Sequence, residues 1–550
     1  MTRDRSGRAW VPAVPILVLL LAAAPARGEG PTDDGPAPLS ETQRIHHFLN
    51  RFSLGPTPEL MAEVRKIGVA EWLEAQLDGR VGGGSEMVTR LEPLESLGLT
   101  SRQIMERYVK PIPDGAPPEL RRARQRLRNV PRDELLESVI LQAVYNRAQV
   151  REVAADFWRQ HFCISVDKGP CQYYATEYER EVIRGLAFAP FGEILEASAK
   201  HPAMLVYLDN FISRRAPTKA ELNATEIRVR LATGSREQGE LASDIAAQRG
   251  LNENYARELL ELHTLGVDNG YTQRDVESVA RALTGWTFES DPARPIEFTF
   301  REAMHEPGDK PFLRGVIRED RKNGVREGER ILEILKKHEG TARFVAWKLC
   351  RHFVCDDPPP DLVDRIAAVF RKNDGDLRAV YRAIAADEEL FAPRHYRAKL
   401  KRPFEYVISA LRVTGAEIKN VSGILQALAA MKESTYRCLD PTGYYDQAEA
   451  WQDPGAFAVR WKFAMDLAHG RLRGVTLPES LYDRLYDTVP DAWKDQLVRE
   501  LLPTGLSART SDILDGLVER LRKENPEYRV REIGPYLVGA ILGSPDFQKQ

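Results

Sequence analysis

Glu258, Glu261, His305 and Asp309 are the residues whose types and spacing point most directly to chemistry. Two carboxylates three residues apart share one face of a helix, where they can ligate a cation or pass a proton. An imidazole followed by carboxylates in HEPGDK, residues 305–310, suits a transition metal or general acid–base work. The expectation is that both segments face one pocket, with these four side chains at its centre. Arg257 and Lys310 then neutralise carboxylates, and Asn252 or Asn254 holds the helix start. Both segments concentrate groups that are costly to bury unpaired. If a cation is bound, oxygen ligands with one imidazole favour manganese, iron or calcium over structural zinc. If none is bound, the same groups form a buried ion-pair network. The competing reading is a solvated stripe, with Arg257 paired to Glu253 or Glu261 at i±4, and a charged surface turn at HEPGDK. The cofactor, if any, is not specified by these residues.

The elements that must position these groups are marked by caps and periods. Asn252 is a good N-cap, because its side-chain oxygen accepts from a free backbone N–H of the first turn. Gly266 can take the left-handed conformation that ends a helix. Between them Tyr255, Leu259 and Leu262 recur at i, i+4, i+7, and Ala256, Leu260 and His263 repeat that spacing one step round. A second helix follows Asp268-Asn269-Gly270. Thr272 and Asp275 resemble a capping box, and Val276, Val279, Ala280 and Leu283 give the buried face. The two segments form a helical hairpin. His263 lies on its apolar side, and His161 in FWRQHF and His352 in CRHFVC lie among aromatics, so all three read as core histidines.

Helical signals continue along the chain. Ser40 with Gln43 makes a capping box, and Thr57-Pro58 starts another helix. Leu135–Phe162 reads as one long helix or a bent pair. Residues 214–250 are a polar excursion, partly helical. Residues 292–315 are richer in Gly and Pro and hold a short β-hairpin. Alternating strand runs are almost absent, so the fold class is all-α with minor β content.

Bulk properties narrow the function classes. The chain has 550 residues and a formal net charge of −3, which gives no global sign of nucleic-acid binding. The basic run Arg121–Arg132 is flanked by acidic residues and reads as a solvated helix face. There is no G-x-S-x-G elbow, Walker loop, dinucleotide glycine fingerprint or H-E-x-x-H, which disfavours serine hydrolases, nucleotide-dependent enzymes and zincins. Residues 1–26 read as an export signal: Arg3, Arg5 and Arg8, then the apolar run Trp10–Ala23, then Ala24-Pro25-Ala26. Residues 27–40 are a linker and 41–550 a helical domain, placing the mature protein in the periplasm or outside the cell with no membrane span. In that oxidising setting Cys163 and Cys171 are expected to form a disulfide across Gly169-Pro170. Cys350 and Cys355 are too far apart on one helix to bridge, one of them bridging Cys438 stays open, and one thiol of the five remains unpaired.

Ten segments, in order, resemble the domain-of-unknown-function 1800 family of exported bacterial proteins. They include HHFLNRFSLGPTPE near residue 50, DFWRQHF at 156–162, HPAMLVYLDN at 201–210, NENYARELLELHTLGV at 252–267 and GYTQRDVESVARALTGW at 270–286. Further on come HEPGDK at 305–310, TARFVAWKLCRHFV at 341–354, KRPFEYVISALR at 401–412, DPTGYYDQAEAW at 440–451 and SPDFQ at 544–548. The sequence departs from the family pattern at HEPGDK, where HD is commoner than HE, and in the excursion at 214–250. The resemblance implies a mostly helical exported protein. It also implies a partner, a sulfatase-like exported protein of the domain-of-unknown-function 1501 family. Two functions follow as expectations: a scaffold or partner-binding protein acting with that neighbour, or an exported enzyme built on the carboxylate and histidine residues, with metal dependence open.

Overall fold

The structure, a computed structural model, describes residues 37–247, 250–289, 291, 293–524 and 529–550. The export segment 1–26 and residues 27–36 of the linker lie outside the described residues. Helix accounts for 64% of the chain and strand for 4%, which makes the class all-α.

Caps start the helices where the sequence places them. Ser40 opens α1 (Glu41–Phe52): its hydroxyl accepts from Gln43 N at 3.3 Å, and Gln43 Oε1 accepts from Ser40 N at 2.9 Å. The bent pair expected over 135–162 is α2 (Pro118–Tyr145) and α3 (Gln149–His161). The break lies at Asn146, whose Oδ1 accepts from Ala148 N at 3.0 Å. The polar excursion folds as two helices, α4 (Lys219–Thr233) and α5 (Arg236–Ala247), packed on each other. Gly239 is their one buried residue among those described.

The expected hairpin of α6 (Asn254–Glu261) and α7 (Gln273–Ala282) follows. Thr272 and Asp275 form the capping box, and the second oxygen of Asp275 accepts from Leu313 N at 2.5 Å. Gly266 takes φ +74° after α6, and a Cβ there would come within 2.6 Å of the Phe344 ring. The one hairpin expected near 292–315 is two. β1 (Trp286–Phe288) pairs antiparallel with β2 (Phe298–Phe300), with Thr287 opposite Thr299. β3 (Lys310–Phe312) pairs with β4 (Gly315–Ile317), with Pro311 opposite Val316.

Five later helices complete the frame used below: α8 (Val325–Lys337), α9 (Glu339–Phe353), α10 (Pro403–Val413), α11 (Pro454–Ala468) and α12 (Val530–Leu542). His338 caps α9 by accepting from Gly340 N at 3.0 Å. Pro403 at the first position of α10 fixes φ, and Glu405 in its first turn accepts from Arg402 N at 2.7 Å. One contiguous cluster of buried apolar side chains runs from Ile45 in α1 to Phe547, and α11 packs on α12 at its C-terminal end. Among the described residues, no helix is long and apolar enough to cross a membrane.

All five cysteines are free and buried. The expected Cys163–Cys171 bridge is not formed. The 3-10 turn Gly169–Tyr173 turns Cys171 inward, where its thiol donates to Ala203 O at 3.6 Å. The Cys163 thiol donates to Ile164 O at 3.8 Å, and the Cys438 thiol donates to Asp440 O at 3.4 Å.

Candidate functional site

Five segments converge on a cleft of about 240 Å³. α9 contributes Phe344, Lys348, Arg351 and His352, which at i, i+4, i+7 and i+8 share one helical face, with Trp347 beside them. The last turn of α3 adds Phe157, Gln160 and His161. The end of α6 and the turn after it add Glu261, Leu262 and Val267. Arg402 enters from the start of α10, and the opposite wall is a loop holding Thr442, Tyr444, Tyr445, Asp446 and Gln447.

Two glycines permit the close approaches. Gly266 lets the turn after α6 lie against Phe344, as given above. Gly443, at φ +71°, brings the loop so close to α3 that a Cβ would overlap the Gln160 carbonyl oxygen. Gln160 Oε1 accepts from Tyr444 N at 3.1 Å and holds the loop there.

His352 is 5% exposed, and its Nδ1 lies 2.7 Å from Asp446 Oδ2. Asp446 is itself fixed: Lys399 Nζ is 3.2 Å from its Oδ1, and Arg402 Nε is 3.6 Å away. Burial raises the Asp446 carboxyl, but Lys399, His352 and Arg402 overcome it and hold the group well below the ordinary carboxylate range. Arg402 is anchored in turn, with Nη1 donating to Glu433 at 2.6 Å and Nη2 to Asp156. Asp156 and Glu179 both bind Arg159, at 3.2 and 2.8 Å. An ionised carboxylate behind a histidine ring fixes its orientation and stabilises the imidazolium.

The other polar groups of the cleft are less satisfied. Lys348 makes no ion pair and no hydrogen bond among the described residues; its ammonium lies 5.7 Å from the Phe344 ring centroid. Burial pushes it down to about 8, with Asp446 and Cys163 opposing and Arg351 adding to the effect. His161 Nε2 lies 3.1 Å from His263 O, which makes that nitrogen the donor and Nδ1 a bare acceptor. Nδ1 is buried and has no partner among the described residues. Burial first, and Lys348 second, hold His161 and His263 below the ordinary imidazole value, and His263 falls to about 3.

His352, Glu405 and Asp446 are the group of three whose donor atoms lie within 4.8 Å of one another among the described residues. That spacing fits a cation with ligand bonds of about 2.0–2.6 Å. The surroundings do not, because Lys399 and Arg402 already sit on Asp446, and Arg402 lies 3.9 Å from Glu405. A divalent ion here would add charge beside two cations that already balance the carboxylates.

The residues singled out from the sequence fall in two places. Glu261 lines the cleft and accepts from Tyr271 OH at 3.4 Å. Glu258 stands beside it, raised to about 7 by burial first and then by Glu261 and Asp440. The N-cap of α6 is Glu253, without a side-chain cap bond, and not the expected Asn252, which stands one residue earlier. Asn252 Oδ1 accepts from Asn254 N at 2.9 Å, and its Nδ2 donates to Leu208 O and Asp209 O at 3.1 and 2.8 Å. Asn254 is exposed. Arg257 bridges the hairpin, reaching Gln273 Oε1 at 2.8 Å and Glu253 at 3.5 Å.

HEPGDK goes elsewhere. His305 Nδ1 lies 2.9 Å from Thr284 O, and its Nε2 lies 3.2 Å from Glu327. Lys310 is fully buried and pairs with Glu327, donating also to Glu306 O at 2.6 Å. Asp309 points outward to Arg318 and accepts from Glu319 N at 3.0 Å. Glu258 and His305 share no partner among the described residues, and no HEPGDK residue lines the cleft. The single pocket expected around both segments is therefore divided, and the HEPGDK half is an ion-pair knot tying the β3–β4 hairpin to α8.

His352, Asp446, Lys348 and His161 were not chosen from the sequence as site residues. One signal was available: every lining residue of the cleft falls within DFWRQHF, NENYARELLELHTLGV, TARFVAWKLCRHFV, KRPFEYVISALR or DPTGYYDQAEAW. Comparison with known proteins finds one family model that matches, described as "Protein of unknown function (DUF1800)", over residues 47–549. No curated protein matches, and no solved structure matches.

Proposed function

We propose, for a chain that belongs to the DUF1800 family, that it is an exported enzyme which binds a ring-bearing organic ligand in the cleft and moves a proton on it through His352. The observation that carries this reading is the His352–Asp446 pair at the cleft wall, 2.7 Å apart, with the carboxylate held by Lys399 and Arg402. A histidine whose one nitrogen is fixed by a carboxylate offers its other nitrogen in a defined tautomer and direction, which is what general acid–base catalysis needs. Phe157, Phe344, Trp347, Tyr444 and Tyr445 supply flat apolar faces on which a ring can stack. His352→Gln is expected to lower turnover by about 10²–10⁴-fold while leaving the melting temperature within a few degrees. Mass spectrometry of ring-bearing sugars and aromatic acids incubated with the purified protein reads the outcome. A wild-type protein that binds such a compound and returns it unchanged overturns the catalytic reading.

A second reading keeps the protein as a partner-binding scaffold, and the α4–α5 hairpin favours it. Leu231 and Leu241 are 78% and 58% exposed there. An exported sulfatase-like protein is the partner this reading expects. Co-purification that survives in the wild type and fails in Leu231→Asp supports it, and equal recovery with both counts against it.

A further inference from the structure

We infer that the ligand of the cleft is an anion: a ring compound carrying a carboxylate, whose charge seats on Lys348 and whose ring lies against the aromatic wall. The inference rests on the reading of the cleft as a ligand site and names the substrate class.

The charge inventory leads to it. Asp446 is ion-paired with Lys399, His352 and Arg402, although its Oδ1 accepts no hydrogen bond among the described residues. Arg402 has its charge met by Asp156 and Glu433 through Nη2 and Nη1, and its Nε makes no hydrogen bond among the described residues. Arg351 lies flat on Trp347, 3.9 Å from the ring centroid, and its Nε donates to Asp356 O at 2.8 Å. Lys348 alone of the cleft's cations has no hydrogen bond or ion pair among the described residues. Lys348 is partly buried and its ammonium meets the cleft without a counterion, so a carboxylate from the ligand makes a charge-assisted pair there. Burial pushing Lys348 down to about 8 expresses the same deficit.

A second, independent observation points to the same ligand. His161 lines the cleft and is 1% exposed, and its buried Nδ1 is an acceptor with no partner among the described residues. A cleft that offers one unpaired cation and one unpaired acceptor asks for a ligand with an anionic group and a hydrogen-bond donor. A sugar acid has both; an aromatic acid has the anion and the flat ring. The aromatic side chains accept either ring.

The pH dependence follows from the groups around Lys348. Asp446 faces it from the loop, Cys163 from the end of α3, Arg351 from its own helix, and His161 and His263 from α3 and the turn after α6. Asp446 is held ionised and both histidines are held neutral, so neither changes charge above pH 7. The Cys163 thiol is raised, and Arg351, although lowered, stays charged. Glu258 releases its proton near 7, with Glu261, Asp440 and Arg257 as its electrostatic neighbours. Loss of the Lys348 proton is then the step that weakens anion binding as pH rises through about 8.

Calorimetric titration of the full chain with glucuronate and benzoate tests this, with methyl glucoside and benzyl alcohol as uncharged rings and sulfate as an anion without a ring. The expected result is that at least one ring acid binds, at least tenfold tighter than its uncharged analogue and than sulfate. Its affinity falls at least tenfold between pH 7 and 9.5. Lys348→Met loses that affinity at an unchanged melting temperature, and Lys348→Arg keeps it. His161→Phe weakens glucuronate, which carries hydroxyl donors, and spares benzoate, which separates the sugar acid from the aromatic acid. Uncharged rings binding as tightly as the acids, a Lys348→Met protein that binds like the wild type, or no binding by any ring acid would each overturn the inference. The readout is equilibrium binding to the wild type and the Lys348 variants, and it requires no turnover. Failure of the acid–base reading and failure of the anion reading are thereby separable.

Discussion

Arg402 holds two buried carboxylates at once, Glu433 through Nη1 and Asp156 through Nη2, and touches Asp446 with Nε. Arg402→Met removes the cation and leaves the buried Glu433 without an ion pair, while Asp156 keeps Arg159 and Asp446 keeps Lys399. Breaking a buried pair this way costs about 3–5 kcal/mol, so chemical denaturation should show a loss of that order, and a change below about 1 kcal/mol would refute the network's role. Glu258 acts through pH. Its folded carboxyl is raised to about 7 from the ordinary 4.5, by burial and then by Glu261 and Asp440. The folded state therefore holds a proton that the unfolded state has released between those values. The contribution of Glu258 is whole below about pH 4.5, is lost as pH rises to about 7, and stays lost above. Glu258→Gln has no such loss. It should melt several degrees above the wild type at pH 8 and level with it at pH 4.5, and thermal melts at the two values decide this. An equal difference at both would show that Glu258 is not the group involved.

The elements were legible where the signal is local. The boxes Ser40–Gln43 and Thr272–Asp275 and the left-handed Gly266 stand where the residues place them, because a cap is a bond between neighbours. The site was less legible for the opposite reason. His352 and Asp446 lie 94 residues apart, and no period or cap connects them. His161 and His352 were read as core histidines from their aromatic neighbours. They are indeed buried, yet each also stands at the cleft wall, which only the packing of α3 against α9 defines. HEPGDK failed in a third way: its charges satisfy one another through Glu327, a residue outside the motif. The capping box of α7 gives an element-scale prediction. Thr272→Ala removes one cap bond and should cost about 1 kcal/mol. Asp275→Ala should cost more, since Asp275 also accepts from Leu313 N and ties α7 to the turn between β3 and β4. Equal losses in urea unfolding would show that the tie to Leu313 adds nothing.

At the scale of the whole molecule, the cleft and the α4–α5 hairpin are separate in kind. The cleft draws on α3, α6, α9, α10 and a late loop, so its shape depends on the single core that runs from α1 to the C-terminal helices. The hairpin adds almost nothing to that core, since Gly239 is its one buried residue among those described. Its two ends meet: Arg214 N donates to Gly250 O at 3.3 Å, and Arg215 N donates to Met304 O at 2.8 Å. Closing a loop between ends already in contact costs little, because loop entropy grows only slowly with length. Replacing residues 217–249 with a short Gly-Ser linker should therefore leave one cooperative unfolding transition, with a melting temperature within a few degrees of the full chain. Ligand binding at the cleft should persist in this variant, and any partner held by the exposed Leu231 and Leu241 should be lost. Circular dichroism melts with the calorimetric titration above measure both halves. A variant that unfolds in two steps or loses the cleft ligand would show that the hairpin braces the core after all, and would leave partner docking without a surface of its own.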